Sequence, residues 1–197
     1  MLPDDQQNKY KLRLEGPISQ QIVVFNTMPT IYESNTAAYE TLSPAHMVGD
    51  FHVYSKSPSR SFEVNDLKIV SRNQQEARAN LERILIMKSW TKAYFGDTSG
   101  PLSKELMNWL GAPPEVLKFS CYGYFKKIPV VVESVSFTFP NDCDYIPTAS
   151  NNDNDDLGGI PFPLVTTLSF KLLEQHSAAE YEQFNLASYR SGILPSF

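Results

Sequence analysis

The side chains most able to do chemistry are three histidines, two cysteines and one acidic run, and their spacing decides what each could do. Imidazole is the commonest metal ligand and the usual base near neutral pH. His46 and His52 stand in an H-x-x-x-x-x-H arrangement within non-helical sequence, and His176 is distant. None has the Cys, Asp or Glu spacing that builds a zinc site, so no metal is expected there. Cys121 and Cys143 read as small apolar residues, buried or half-buried, in a reducing compartment. The run Asp153-Asn154-Asp155-Asp156-Leu157-Gly158 starts like a calcium loop, with oxygen ligands at positions one and three. It then places Leu157 at position five and Leu164 at position twelve, where oxygen ligands belong. A solvated acidic loop over Asn151–Gly159 is the expectation. No G-x-S-x-G, P-loop or G-x-G-x-x-G occurs, and no residue nominates a Ser/His/Asp triad, which converges only in space. The chain is therefore read as non-enzymatic, with no catalytic residue, cofactor or metal.

The elements that position these groups are mostly strands. Ile18 to Phe25 is β-branched and apolar, with Gly16-Pro17 before it and Asn26 after it, the pattern of a bounded strand. Candidate strands follow at Gly49–Tyr54 and Ser61–Val64. A helix is expected from Ser71 to Phe95, opened by a capping box of Ser71 and Gln74. Ala77, Leu81, Ile84 and Met87 recur at helical steps and share one face. Leu81, Ile84, Trp90 and Phe95 are the candidate core anchors, and Gly96 is placed to stop the helix. A short second helix is expected at Leu102–Leu110, before Pro113-Pro114. Beyond it, Val116–Tyr122, Ile128–Glu133 and Val135–Phe139 read as short strands separated by Gly123 and a solvated Lys126-Lys127 turn. Pro129 points to an edge position or a strand start. Leu164–Leu173 alternates with period two, as in a sheet with one packed and one wet face.

The 197 residues suffice for one domain, or one domain with an arm, and for a full core. A net charge of −5 argues against gripping nucleic acid by its phosphates. No apolar stretch reaches the roughly 18–20 residues of a membrane span. The start Pro3-Asp4-Asp5 lacks the features of a signal peptide, so the chain reads as intracellular at synthesis. The fold class is mainly β.

Several segments in order resemble the baseplate tail-tube proteins of contractile-tailed phages, the tail-tube initiator and baseplate–tube junction family. They are Pro29 to Ser34 with Ala38-Tyr39, then Tyr54 with Ser59 to Phe62. Ser71-Arg72 with Glu76-Ala77, Ser89 to Lys92 with Tyr94 to Gly96, and Gly111 to Pro114 with Leu117 follow. Ile128 to Val131, Pro140 with Asp144 to Pro147, and Phe184-Asn185 with Tyr189 to Gly192 complete the set. T-even relatives are longer.

That resemblance implies an N-terminal arm or strand over 1–27 and a single tail-tube-like domain over 28–197, a β-barrel or sandwich with one flanking helix. It implies a homo-hexameric ring on the baseplate hub, from which the tail tube polymerises, in a virion assembled in the host cytoplasm. Implied neighbours are the tube protein or a second initiator, with tape-measure and sheath-initiating proteins around them. DNA would pass transiently through an acidic lumen, without stable membrane association. Asp153, Asp155, Asp156, Phe184, Tyr189 and Arg190 are the candidate ring contacts. The alternatives are another protein of the same fold, a tube subunit or tail terminator, and a small cell-wall hydrolase. Replacing Asp153, Asp155 and Asp156 together by Asn is expected to leave the monomer's thermal unfolding unchanged and to weaken assembly. Calcium should not raise the melting temperature of the wild-type chain.

Overall fold

A computed structural model describes residues 10–43, 45–46, 48–93, 113–148 and 160–175. The chain builds strands β1 (Arg13–Glu15), β2 (Ile22–Val24), β3 (Thr30–Ser34), β4 (Ala38–Leu42), β5 (Phe51–Lys56) and β6 (Ser61–Val70). Helix α1 (Gln74–Ser89) follows, then β7 (Leu117–Cys121), β8 (Phe125–Thr138), β9 (Tyr145–Pro147), β10 (Pro161–Pro163) and β11 (Val165–Glu174). Seven strands form one antiparallel sheet in the order β2-β1-β7-β8-β11-β6-β3. Two hairpins, β4–β5 and β9–β10, stand apart from it. The architecture is thus mainly β with one described helix. The large sheet is open: β2 and β3 are its free edges, so the described residues do not close the barrel that the resemblance implied.

β11 behaves as its alternation predicts. Thr166, Leu168, Phe170 and Leu172 are buried, and the residues between them face outward. The strand is central, pairing with β6 on one side and β8 on the other. On the packed face Phe62, Phe119 and Phe125 meet with ring centroids 5.3 to 5.4 Å apart. They join a core that also holds Leu14, Val64, Ile128 and Leu168.

The long strands bend through bulges. Asp66 adopts a φ of 55° where β6 slips register against β11, and its amide donates to Ser169 Oγ at 3.1 Å. Lys127 repeats the device at a φ of 52°, donating its amide to Ser120 Oγ at 2.9 Å. A bulge leaves one residue unpaired in the ladder. In both places the facing serine hydroxyl takes the amide that the ladder does not.

These bulges correct the expected division of 116–139. Lys126 and Lys127 lie within β8, which runs unbroken through Glu133 and Ser134, and the turn is made by Tyr122, Gly123 and Tyr124. Gly123 sits at a φ of 69°, and a Cβ there would come within 3.2 Å of the Tyr10 ring. Pro129 is also corrected, since β8 is an interior strand. Its carbonyl accepts from Gln175 N at 2.9 Å just past the end of β11, so the donor that proline lacks falls where that ladder stops. The strand expected over Ile18–Phe25 shortens to β2, because Pro17, Ile18 and Ser19 form the turn from β1.

Helix α1 starts later than the spacing suggested. Asn73, not Ser71, is the N-cap: Asn73 Oδ1 accepts from Glu76 N at 2.8 Å, and Glu76 Oε2 accepts from Arg72 N at 2.8 Å. Ser71 is buried instead and accepts at Oγ from Asn80 Nδ2 at 2.9 Å. The helix ends at Ser89 with Trp90 as its C-cap, which corrects the expected run to Phe95. Thr91 N and Lys92 N donate three residues back, to Lys88 O and Ser89 O, and turn the chain out of the helix, while Phe95 itself lies outside the described residues. The expected helix at 102–110 lies outside them too.

Ala77, Leu81, Ile84 and Met87 are buried as one stripe. The helix packs against β2, β9 and β10, and Lys88 Nζ lies 4.2 Å from the centre of the Phe137 ring. Leu81 is only 6% exposed, so Leu81→Ala is expected to lower unfolding free energy by about 2–5 kcal/mol. Urea denaturation measures it, and a loss below about 0.5 kcal/mol would contradict the packing described.

Candidate assembly surfaces

The described residues hold no group of three or more His, Cys, Asp or Glu arranged to bind a metal. His52 Nδ1 meets Thr41 Oγ1 at 3.3 Å on the exposed β4–β5 hairpin, and His46 takes a φ of 69° near its tip. Cys121 is buried and Cys143 half-buried, both as free thiols, in keeping with their reading as small apolar residues. Burial pushes the Cys121 thiol up to about 12, against a smaller opposing hydrogen bond with the backbone of Tyr122, so it stays protonated at neutral pH.

Of the expected core anchors, Leu81, Ile84 and Trp90 come together in the core. Trp90 Nε1 donates to Ser19 Oγ at 3.5 Å. Phe95 and all six candidate ring contacts (Asp153, Asp155, Asp156, Phe184, Tyr189 and Arg190) lie outside the described residues. The neck of the acidic segment is described. Thr148 donates from both N and Oγ1 to Ile160 O, at 3.2 and 2.7 Å.

The surface that the spacing did not reveal is the β4–β5 hairpin. Its register sets Tyr39 opposite Tyr54 and Thr41 opposite His52 on one face, and Glu40 opposite Val53 and Leu42 opposite Phe51 on the other. Tyr39, Leu42, Phe51, Val53 and Tyr54 are each about half exposed, between 48 and 59%. Local contacts hold the ribbon together. The Tyr39 and Tyr54 rings meet edge to face at 5.9 Å, and Ser43 Oγ donates to Asp50 Oδ1 at 2.6 Å. Isolated two-stranded hairpins are marginal in water. This one exposes apolar side chains on both faces.

The second surface is the wet face of the large sheet. Lys171 Nζ sits 3.1 Å from Glu133 Oε2 and 3.6 Å from Glu63 Oε1, and hydrogen bonding with Glu133 is the main cause that raises its pKa. Arg13 Nε lies 2.7 Å from Glu15 Oε1, a charge contact without hydrogen-bond alignment. The carboxylates Glu15, Glu63 and Glu133 each stand beside a cation, the last two sharing Lys171. No helix among the described residues is long and apolar enough to cross a membrane.

The double variant Tyr39→Ser, Tyr54→Ser is expected to change monomer stability by less than about 1 kcal/mol, because the rings are largely solvated already. Chemical denaturation of dilute protein measures it. A larger loss would mean that the hairpin belongs to the subunit's own core. No family model matches the chain, and no curated protein matches it.

Proposed function

We propose that the chain is a structural ring subunit of a contractile-phage baseplate, a homo-hexamer seated on the central hub that initiates tail-tube polymerisation and continues the DNA channel. The observation that carries this reading is the β4–β5 hairpin, exposed on both faces with aromatic and aliphatic side chains. A ribbon of that kind is explained by a neighbour that covers it.

The open sheet adds support. The edge strands β2 and β3 present unpaired backbone groups, a hazard in a monomer but a natural junction between like subunits. Cyclic association of identical copies removes free edges by closure. The wet faces would then line the channel. On that face Lys171 stands between Glu133 and Glu63 and Arg13 beside Glu15, which offsets part of its positive charge, while Lys68 and Lys118 stay exposed. Initiation would follow from geometry. Free rings lose much association entropy when they stack, and a ring already fixed on the hub removes part of that loss.

Averaged electron micrographs of the purified chain, alone and with its hub, test this reading. A closed ring, sixfold on the hub, is the expected result. A monomer or an open filament at that position would overturn it.

A further inference from the structure

Where β6 passes into α1, a cavity of about 390 Å³ opens between the start of the helix and the segment that leaves β2. Its lining includes Asn26, Lys68, Arg72, Glu76, Asn80 and Arg83. The two arginines make no ion pair among the described residues. Glu76 is the one carboxylate of the lining, and it is occupied in accepting the amide of Arg72.

Arg83 is held in place by a buried polar chain. Asn80 is 4% exposed, on the packed stripe of the helix, and donates to Val70 O at 3.2 Å and to Ser71 Oγ at 2.9 Å. Those bonds leave its Oδ1 to accept from Arg83 Nη1 at 2.5 Å. An amide at a core position makes sense if its task is to aim that guanidinium. The remaining N–H groups of Arg83 form a fork suited to a carboxylate. The helix N-terminus adds positive potential to the same space. A cation-rich cavity in a chain of net charge −5 calls for an acidic occupant.

We infer that this cavity is the receptor for the acidic segment Asp153 to Asp156 of a second copy of the chain. The inference rests on the ring reading and names a contact within it. That segment is the densest run of carboxylates in the sequence, it includes three of the candidate ring contacts, and it springs from the neck pinned at Thr148 and Ile160. Arg83 and Arg72 would pair with its carboxylates across the subunit boundary.

Charge reversal on each side tests the contact. Arg72→Glu with Arg83→Glu, and separately Asp155→Lys with Asp156→Lys, should each weaken self-association at least about tenfold in sedimentation velocity. The combined quadruple variant, which restores the wild-type net charge, should recover most of that loss. Association of wild-type strength in either double variant, or no recovery in the quadruple one, overturns the inference. Should Arg72→Glu with Arg83→Glu unfold on circular dichroism, Arg72→Gln with Arg83→Gln replaces it.

A synthetic peptide of residues 151–159 separates failure of the contact from failure of the ring. Added to the Asp155→Lys, Asp156→Lys protein, it should bind in a salt-sensitive manner, and binding should be lost on further adding Arg72→Gln with Arg83→Gln. Binding without any ring overturns the ring reading alone. Absence of binding, or binding indifferent to the arginines, overturns the receptor.

Discussion

The buried pairing of Arg60 with Glu174 is the constraint on which the register of the sheet depends. Arg60 is 3% exposed and Glu174 1%. Two parallel hydrogen bonds join them, Nε to Oε2 at 3.0 Å and Nη2 to Oε1 at 2.8 Å, while Nη1 reaches Glu33 Oε1 at 2.9 Å. Burial alone would lower the arginine pKa, but hydrogen bonds and charge from Glu174, then Glu33, hold it above its ordinary value. The Arg60 guanidinium therefore keeps its charge despite its burial. It ties the entry of β6 to the end of β11 and to edge strand β3, and Glu174 N donates to Arg60 O at 2.9 Å alongside. A slip of one residue between these strands would turn a side chain to the wrong face and strand a charge in the core. Register is thereby enforced by penalty as much as by attraction.

Around that fixed corner the sheet is free to bend. The two serine-supported bulges at Asp66 and Lys127 lie on different strands, and each adds local twist while a serine hydroxyl takes up the displaced amide. The curvature fits contacts that cross the sheet: Phe25, just beyond one edge strand, stacks on Phe170 of the central strand at 6.4 Å. Tyr122 donates its hydroxyl to Pro29 O, linking the β7–β8 turn to the segment that crosses from β2 to β3. An open sheet with its packed face filled in this way leaves its other face toward solvent and its two edge strands unpaired among the described residues.

Elements with one dry face and one wet face were legible in the sequence. The stripe from Ala77 to Met87 and the alternation of β11 carry a clear period because burial imposes it. β4 and β5 carry no such imprint, since both faces meet solvent, and only the second was anticipated, from Gly49 to Tyr54. The start of α1 was misplaced because Ser71 has the right type and spacing for a cap, yet Asn80 claims its hydroxyl. Asn80 itself was the missed signal: a polar residue three positions after Ala77 on an apolar stripe. Within β8, Lys126-Lys127 looked like a turn because charge was read as an interruption, whereas a bulge admits it. The cationic cavity escaped notice because its parts come from a strand end, a helix start and a crossing segment that only tertiary structure brings together.

The turn between β1 and β2 has a consequence for the order in which the molecule can form. Ser19 N donates to Glu115 Oε1 at 3.0 Å, as does Ile18 N, and β1 lies beside β7. Gly16 leaves the room for this clamp, since a Cβ there would meet Ser19 Oγ at 2.3 Å. The clamp joins residues separated by 96 and 97 positions. Loop closure of that span must precede any reward from the contact, which slows folding. During synthesis β1 has no second strand beside it until the chain through Cys121 has left the ribosome. For that interval β1 and β2 are a bare strand pair with apolar residues exposed, so a crowded polysome is where this chain is most open to pairing with the wrong copy.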